Sequence, residues 1–168
     1  MGEISSKNIK HSLSNHHKRL EDSYDIEITF FMPCYNEENN VIDAIKNIES
    51  AAKKTDCSYE IIIFDDKSTD NSINVINEFM NNNNELPIIL IEREFRRGMA
   101  YNYIDGAIKG KGKYYKLFGA KNTEDHDSLI KMLKQRGKAE LIIPYIEIDM
   151  RRYSRRFISK LFNLLVNL

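Results

Sequence analysis

Three short stretches of this 168-residue chain concentrate the side chains that can do chemistry. The first runs from Pro33 through Cys34, Tyr35, Asn36, Glu37 and Glu38 to Asn39, the second from Asp65 through Asp66, Lys67, Ser68, Thr69 and Asp70 to Ser72. The third is Gly119, Ala120, Lys121, Asn122, Thr123, Glu124 and Asp125. Asp and Ser also serve as plain helix caps, and Asp70 suits that role better than a ligand contact. The pair Asp65–Asp66 is harder to explain by capping. Adjacent carboxylates repel, so a cation, an amide donor or the edge of a nucleobase must lie close enough to offset them. A fourth group has the opposite sign: Arg151, Arg152, Arg155 and Arg156 lead into Phe157, Ile158, Leu161, Phe162, Leu164, Leu165 and Leu168 at helical spacing. Guanidinium forks suit phosphate, and the apolar stripe suits a prenyl chain or a membrane interface. The alternative is a surface helix with solvated arginines, although the helix dipole disfavours four cations at an N-terminal end.

The elements that must hold these groups can be read from hydrophobic periodicity. Residues Ile28–Met32, Glu60–Phe64, Pro87–Ile91, Tyr114–Phe118 and Leu141–Ile143 read as strands. Between them lie four helical patterns. Val41, Ala44, Ile45, Ile48 and Ala52 form the first, with Glu37 and Glu38 in its first turn, where the dipole favours acids. Ile73, Ile76, Phe79 and Met80 form the second, ending in the Asn81–Asn84 run. Ala100, Tyr103, Ile104, Ala107 and Ile108 share one face of the third, and Leu129, Ile130 and Leu133 mark the fourth, stopped by Gly137. Strand–helix alternation with continuous apolar strands predicts an α/β domain on a mainly parallel sheet. Ligands of such sheets sit beyond the carboxyl ends of the strands, where all three polar stretches fall.

Residues 1–24 are rich in Ser, Asn, His and Lys without a period and are expected to be a poorly ordered lead-in, residues 25–150 the domain, and 151–168 a basic amphipathic helix. The apolar pattern of that helix stops without Gly, Pro or a cap, so more chain or a membrane surface is expected to complete it. His16 and His17 are adjacent and lack metal-ligand spacing. The formal net charge is zero but unevenly placed: from Glu92 onward there are 17 Lys and Arg against 9 Asp and Glu, and the first 91 residues hold the remaining 8 and 16. A C-terminal half at +8 suggests an anion such as phosphate or a lipid headgroup, or else several solvated helix faces. Basic residues interleaved with aromatics on a strand platform are not evident, which argues against nucleic acid as a partner. Cys34 and Cys57 make no metal or redox spacing and read as free thiols. No apolar run approaches the roughly 20 residues that span a bilayer, and no signal-peptide core is seen. The expected location is the cytoplasm, peripheral to the cytosolic face of a membrane.

The order and spacing of these stretches resemble the family-2, GT-A-type glycosyltransferases, most closely those acting on dolichol or polyprenol phosphate. The resemblance runs through Pro33–Asn39, Asp65–Ser72, Arg96 to Ala100, Asp105 to Ala107 and Gly110 to Gly112, and covers about residues 26–168. It implies an inverting transfer of a sugar from a nucleotide-diphosphate donor to polyprenyl phosphate or a glycan or lipid acceptor. Pro33, Tyr35, Asn36 and Glu37 would line the nucleotide pocket, Asp65 would accept from base N–H groups beside Asp66, and Ile63 or Phe64 would floor the pocket. Arg151, Arg152, Arg155 and Arg156 would meet the acceptor phosphate. In the family the strand after Gly112 ends in Asp-x-Asp, which holds Mg²⁺ or Mn²⁺ on the donor diphosphate. Here Gly119, Ala120 and Lys121 stand instead, and a lysine repels a divalent cation. Two expectations follow. Lys121 replaces the metal as a point charge on the diphosphate with Asn122 and Arg97, or the domain binds a nucleotide sugar without turning it over. A Mg²⁺ or Mn²⁺ ion in a site shifted to Glu124 or Asp125 is a third arrangement. An acidic pair on a doubly wound sheet also suggests a phospho-receiver domain, but the order of its acidic residues along the strands does not match.

Overall fold

The computed structural model describes residues 24–143 together with Phe157, Ile158 and Phe162. The lead-in through residue 23 and the four arginines at 151, 152, 155 and 156 lie outside the described residues. Four apolar runs form strands: β1 (Ile28–Cys34), β2 (Tyr59–Asp65), β3 (Ile88–Glu92) and β4 (Tyr114–Leu117). They make one sheet in the order β3-β2-β1-β4, with every pair parallel. The register sets Cys34 opposite Asp65 and Asp65 opposite Glu92, so the carboxyl ends of the three neighbouring strands finish level.

Three helices cover one face of this sheet. α1 (Val41–Lys54) buries Val41, Ala44, Ile45, Ile48, Ala51 and Ala52, α2 (Ser72–Asn82) buries Ile76, and α4 (His126–Leu133) buries Leu129 and Leu133. They close over Phe30, Met32, Ile61, Ile63 and Phe118 to form the main core. Each such large side chain taken out of water is worth about 1.5–3 kcal/mol, so most of the packing free energy lies on this face. The other face carries a small core of Phe31, Ile62 and Phe64, against which α3 (Met99–Lys109) packs. The helix is held by aromatic edges: Tyr103 stands perpendicular to Phe31, ring centroids 5.5 Å apart, and Tyr115 donates its hydroxyl to the Tyr103 carbonyl at 2.7 Å.

Close backbone approach fastens β4 to β1. A Cβ on Gly112 would collide with the backbone nitrogen of Thr29 and lie 2.6 Å from the Ile28 carbonyl carbon. There the buried Glu60 carboxylate accepts from Thr29 Oγ1 at 2.6 Å and from the Lys111 amide at 2.5 Å.

Three expectations need correction. Leu141–Ile143 has no regular structure and adds no strand to the sheet. The run is three residues long and ends at Pro144, which has no N–H to give to a ladder. Glu37 and Glu38 precede α1, which starts at Val41, and belong to the loop before it. The apolar side of α3 is the exposed one; its buried residues are Asn102 and Gly106. The chain divides into two compact units, Met1–Arg136 and Gly137–Leu168, and Phe157, Ile158 and Phe162 in the second are helical.

Candidate functional site at the strand ends

The site is built from the ends of β1 and β2 outward. Each of the three polar stretches turns through a non-glycine residue in the left-handed region: Asn36 at φ 55°, Lys67 at 67° and Asn122 at 54°. Asn takes this conformation readily because its short amide bonds locally, whereas Lys does so only when its surroundings enforce it. The enforcement is visible. The Asp65 carboxylate accepts from the Ser68 amide at 2.8 Å and from the Ser68 hydroxyl, closing a turn around Lys67. Asp65 itself exposes no surface.

The turn is then stitched to the β1 loop. Asn36 donates its amide to Ser68 Oγ at 2.9 Å, and the Asn36 side-chain oxygen accepts from the Thr69 amide at 2.8 Å. Glu37 gives its amide to Ser72 Oγ at 2.9 Å, and Glu38 gives its amide to Asp70 at 3.1 Å while accepting from the Asn71 amide at 2.8 Å. Asp70 also accepts from the Ser72 amide at 3.0 Å ahead of α2, so it works as a cap and a loop tie together. Burial alone would raise its pKa; the bonds from Ser72 and Glu38 outweigh this and hold it below the ordinary value. The Cys34 thiol lies under these loops, pushed up to about 12 by burial and by the neighbouring Asp65 charge. It is a packing group, not a nucleophile.

Asp66 answers the question of what offsets the acidic pair. Its carboxylate accepts from the Arg97 amide at 2.8 Å, the Gly98 amide at 3.1 Å and the Asn102 side chain at 3.0 Å. The Arg96 guanidinium stands 3.8 Å away. Burial pushes its pKa up, but the Arg97, Asn102 and Gly98 donors and the Arg96 charge prevail and hold it low. Asp66 therefore spends its charge on ordering the segment between β3 and α3. That segment carries Arg96, whose guanidinium lies 3.8 Å from the centre of the Tyr35 ring, and Arg97, which stacks on Phe95 at 4.0 Å. Behind it, Arg93 bonds Asn102 at 2.9 Å and Asp105 at 2.5 Å.

The third stretch joins from β4. Ala120 donates to the Pro33 carbonyl at 3.4 Å and is buried, while Lys121 is exposed. The Asn122 side chain accepts from Asn47 of α1 at 2.8 Å, and Asn47 in turn sits 2.6 Å from His126 Nδ1. Pro33, Tyr35, Asn36, Glu37, Asp65, Asp66, Gly119, Ala120 and Lys121 thus come to one edge of the sheet. Ile63 is wholly buried within β2 and belongs to the main core. Sequence reasoning missed Ser68, Asn102, Arg96 as a partner of Tyr35, and Asn47. Only Ser68 had a local signal, three residues after an Asp at a strand end; the others meet their partners across the sheet.

Among the described residues, the third stretch offers no oxygen set for a divalent cation. Gly119 and Ala120 offer no side-chain oxygen, and Lys121 brings a positive charge. Glu124 is paired with Lys116 at 2.9 Å, and Asp125 caps α4 by accepting from the Ser128 amide at 2.9 Å. Among the described residues, no three His, Cys, Asp or Glu side chains cluster closely enough to hold a metal ion. Nor is any described helix long and apolar enough to cross a membrane.

Comparison with known proteins is consistent in kind. The profile of Glycosyl transferase family 2 matches residues 29–162. The chain is 30% identical over 102 residues to a dolichyl N-acetyl-alpha-D-glucosaminyl phosphate 3-beta-D-2,3-diacetamido-2,3-dideoxy-beta-D-glucuronosyltransferase of Methanococcus voltae, covering 61% of this chain and 31% of that protein. It is 29% identical over 107 residues to the poly-beta-1,6-N-acetyl-D-glucosamine synthase of Staphylococcus epidermidis, covering 64% of this chain and 24% of the synthase. The chain therefore spans about a quarter to a third of the length of these relatives. Among solved structures, the mannosyltransferase PcManGT from Pyrobaculum calidifontis, in complex with GDP-Man and Mn²⁺, aligns with a TM-score of 0.57 at 20% identity, covering 77% of this chain and 41% of that one. At that identity the likeness speaks for the fold alone.

Proposed function

Because the chain belongs to glycosyl transferase family 2 and has the GT-A type of α/β fold, we propose that it binds a nucleotide-diphosphate sugar at the β1, β2 and β4 ends. The sugar then passes, with inversion, to polyprenyl phosphate or a related lipid or glycan acceptor. The observation that carries this reading is the convergence of the three polar stretches on one sheet edge, two of them stitched together through Asn36, Glu37, Ser68 and Ser72.

An acceptor phosphate oxygen attacks the anomeric carbon as the bond to the donor diphosphate breaks in line behind it. The phosphate is already ionised, so the step needs little help from a general base. What it needs is positive charge on the departing diphosphate. Lys121 supplies this as a point charge, Arg97 adds a guanidinium fork, and the Asn122 amide is held in place by Asn47. The roles of Pro33, Tyr35 and Glu37 as nucleotide-pocket lining, and of Arg151, Arg152, Arg155 and Arg156 as the acceptor-phosphate group, belong to the same proposal. The name of one relative gives a dolichyl-phosphate-linked sugar as acceptor, which supports a lipid-phosphate-linked acceptor in general. The absence of carboxylates at Gly119, Ala120 and Lys121 favours one second reading, a module that binds the nucleotide sugar without turnover.

Thermal-shift titration with UDP-, GDP- and dTDP-sugars, with and without Mn²⁺, tests donor binding. One nucleotide is expected to raise the melting temperature by about 5 °C or more at a hundredfold excess over Kd, equally with and without the metal. A shift that requires Mn²⁺ would remove Lys121 from its role, and no shift with any donor would remove the proposal. Turnover in EDTA with polyprenyl phosphate as acceptor then separates enzyme from binding module.

A further inference from the structure

α3 presents its apolar side outward. Ala100, Ile104, Ala107 and Ile108 recur at the i, i+4, i+7 and i+8 positions of one helix side, with Ile104 58% and Ile108 61% exposed. Met99 and Phe95 beside them are exposed as well. The side turned to the sheet carries the Asn102 amide, the edge of Tyr103 and Gly106, where a Cβ would strike the Tyr115 hydroxyl and lie 3.0 Å from Phe31. A helix that buries its polar side and exposes its isoleucines is built to meet a second apolar surface.

Charge distinguishes what that surface is. From Arg96 to Lys113 the cations are Arg96, Arg97, Lys109, Lys111 and Lys113, and the one acid is Asp105. Asp105 is occupied by Arg93 at 2.5 Å and Lys109 at 3.5 Å. Extending the count back to Glu92 adds Arg93, Glu92 and Glu94 and leaves the balance positive. Contacts between proteins are depleted in lysine. A bilayer interface instead favours apolar side chains flanked by long cationic stems, whose heads reach the lipid phosphates. Lys109 and Lys111 are exposed at the C-terminal end of the helix, beside Ile108.

We infer that α3 is a membrane-docking helix that lays Ile104 and Ile108 into the interface of an anionic bilayer, with Lys109, Lys111 and Lys113 on the lipid phosphates. The inference does not rest on glycosyl transfer.

The chain contains no tryptophan, so Ile104→Trp in the full chain reports on this helix alone. The comparison is Glu78→Trp, at an exposed position on α2 across the sheet. With vesicles of phosphatidylcholine and phosphatidylglycerol, the Ile104→Trp emission is expected to move to the blue and be quenched by brominated lipid. Pure phosphatidylcholine should give neither effect, and Glu78→Trp should give none with either vesicle. The pair Ile104→Glu and Ile108→Glu is expected to lower vesicle-bound protein about tenfold or more with the circular dichroism unchanged; if that pair unfolds, the tryptophan readout stands alone. Four outcomes overturn the inference. The first is no binding to anionic vesicles, and the second is binding with unchanged Ile104→Trp emission. The third is a blue shift that grows with protein concentration without lipid, which assigns the face to a second copy. The fourth is emission already blue in dilute, lipid-free protein.

Discussion

At the residue scale, the two neighbouring aspartates divide their work. Asp65 closes the turn at Lys67 through Ser68, and Asp66 draws in the amides of Arg97 and Gly98. The pair was visible in the sequence because adjacent carboxylates demand an explanation. Its partners were not, because Arg97, Gly98 and Asn102 lie more than thirty positions away and reach Asp66 only through the sheet. The sign of the pH dependence follows from these donors. Asp66 has a native pKa below its ordinary value of 3.8, so its stabilisation is fully present above that value and is lost as pH falls through the native one. Melting temperatures followed from about pH 5 down to pH 2 should therefore drop less steeply for Asp66→Asn than for the natural sequence, from a lower starting point. Lys121 belongs to the same scale. If it neutralises the leaving diphosphate, Lys121→Ala should lower kcat by about 10²–10³ with a small change in KM, since the charge develops in the transition state. A change confined to KM would make Lys121 a binding residue only.

At the element scale, continuous apolar strands and turn residues made β1 to β4 legible, and the 3.6-residue period located α1 to α4. What periodicity cannot report is which side of a helix is covered. For α1 the apolar side is the buried one, because six small and branched side chains fit against Phe30 and Met32. For α3 the sheet is already filled by Phe31, Phe64 and Tyr115, so the helix meets them with Gly106 and the edge of Tyr103. The run at 141–143 shows the complementary error: apolar composition alone does not make a strand. The tightest junction is at Gly112. Gly112→Ala must move the backbone of Ile28 and Thr29 and disturb the Glu60 bonds, and a loss of about 3 kcal/mol or more is expected in urea unfolding. The same substitution at Gly98, whose surroundings are open, serves as the comparison and probes only its positive φ of 81°.

At the scale of the whole molecule, the sheet has an unequal covering. Among the described residues, three helices and the main core lie on one face, and one helix held by aromatic edges lies on the other. The proposed donor edge runs along the carboxyl ends of the strands between them. Most of this edge was legible from motif order, while the replacement of an acidic metal motif by Gly119, Ala120 and Lys121 was legible as a departure whose consequence needed the surrounding geometry. Glu124 and Asp125 turn out to be engaged by Lys116 and by the α4 amides. The cross-stitched loops of β1 and β2 carry one more consequence. Since the amides of Asn36, Glu37 and Glu38 are each bonded to a side chain on the other loop, they should exchange with deuterium slowly before any donor is added, and change little afterwards. Recognition at this edge then begins from an already ordered surface, and the entropy of arranging it is lost when the chain folds, not when the nucleotide arrives.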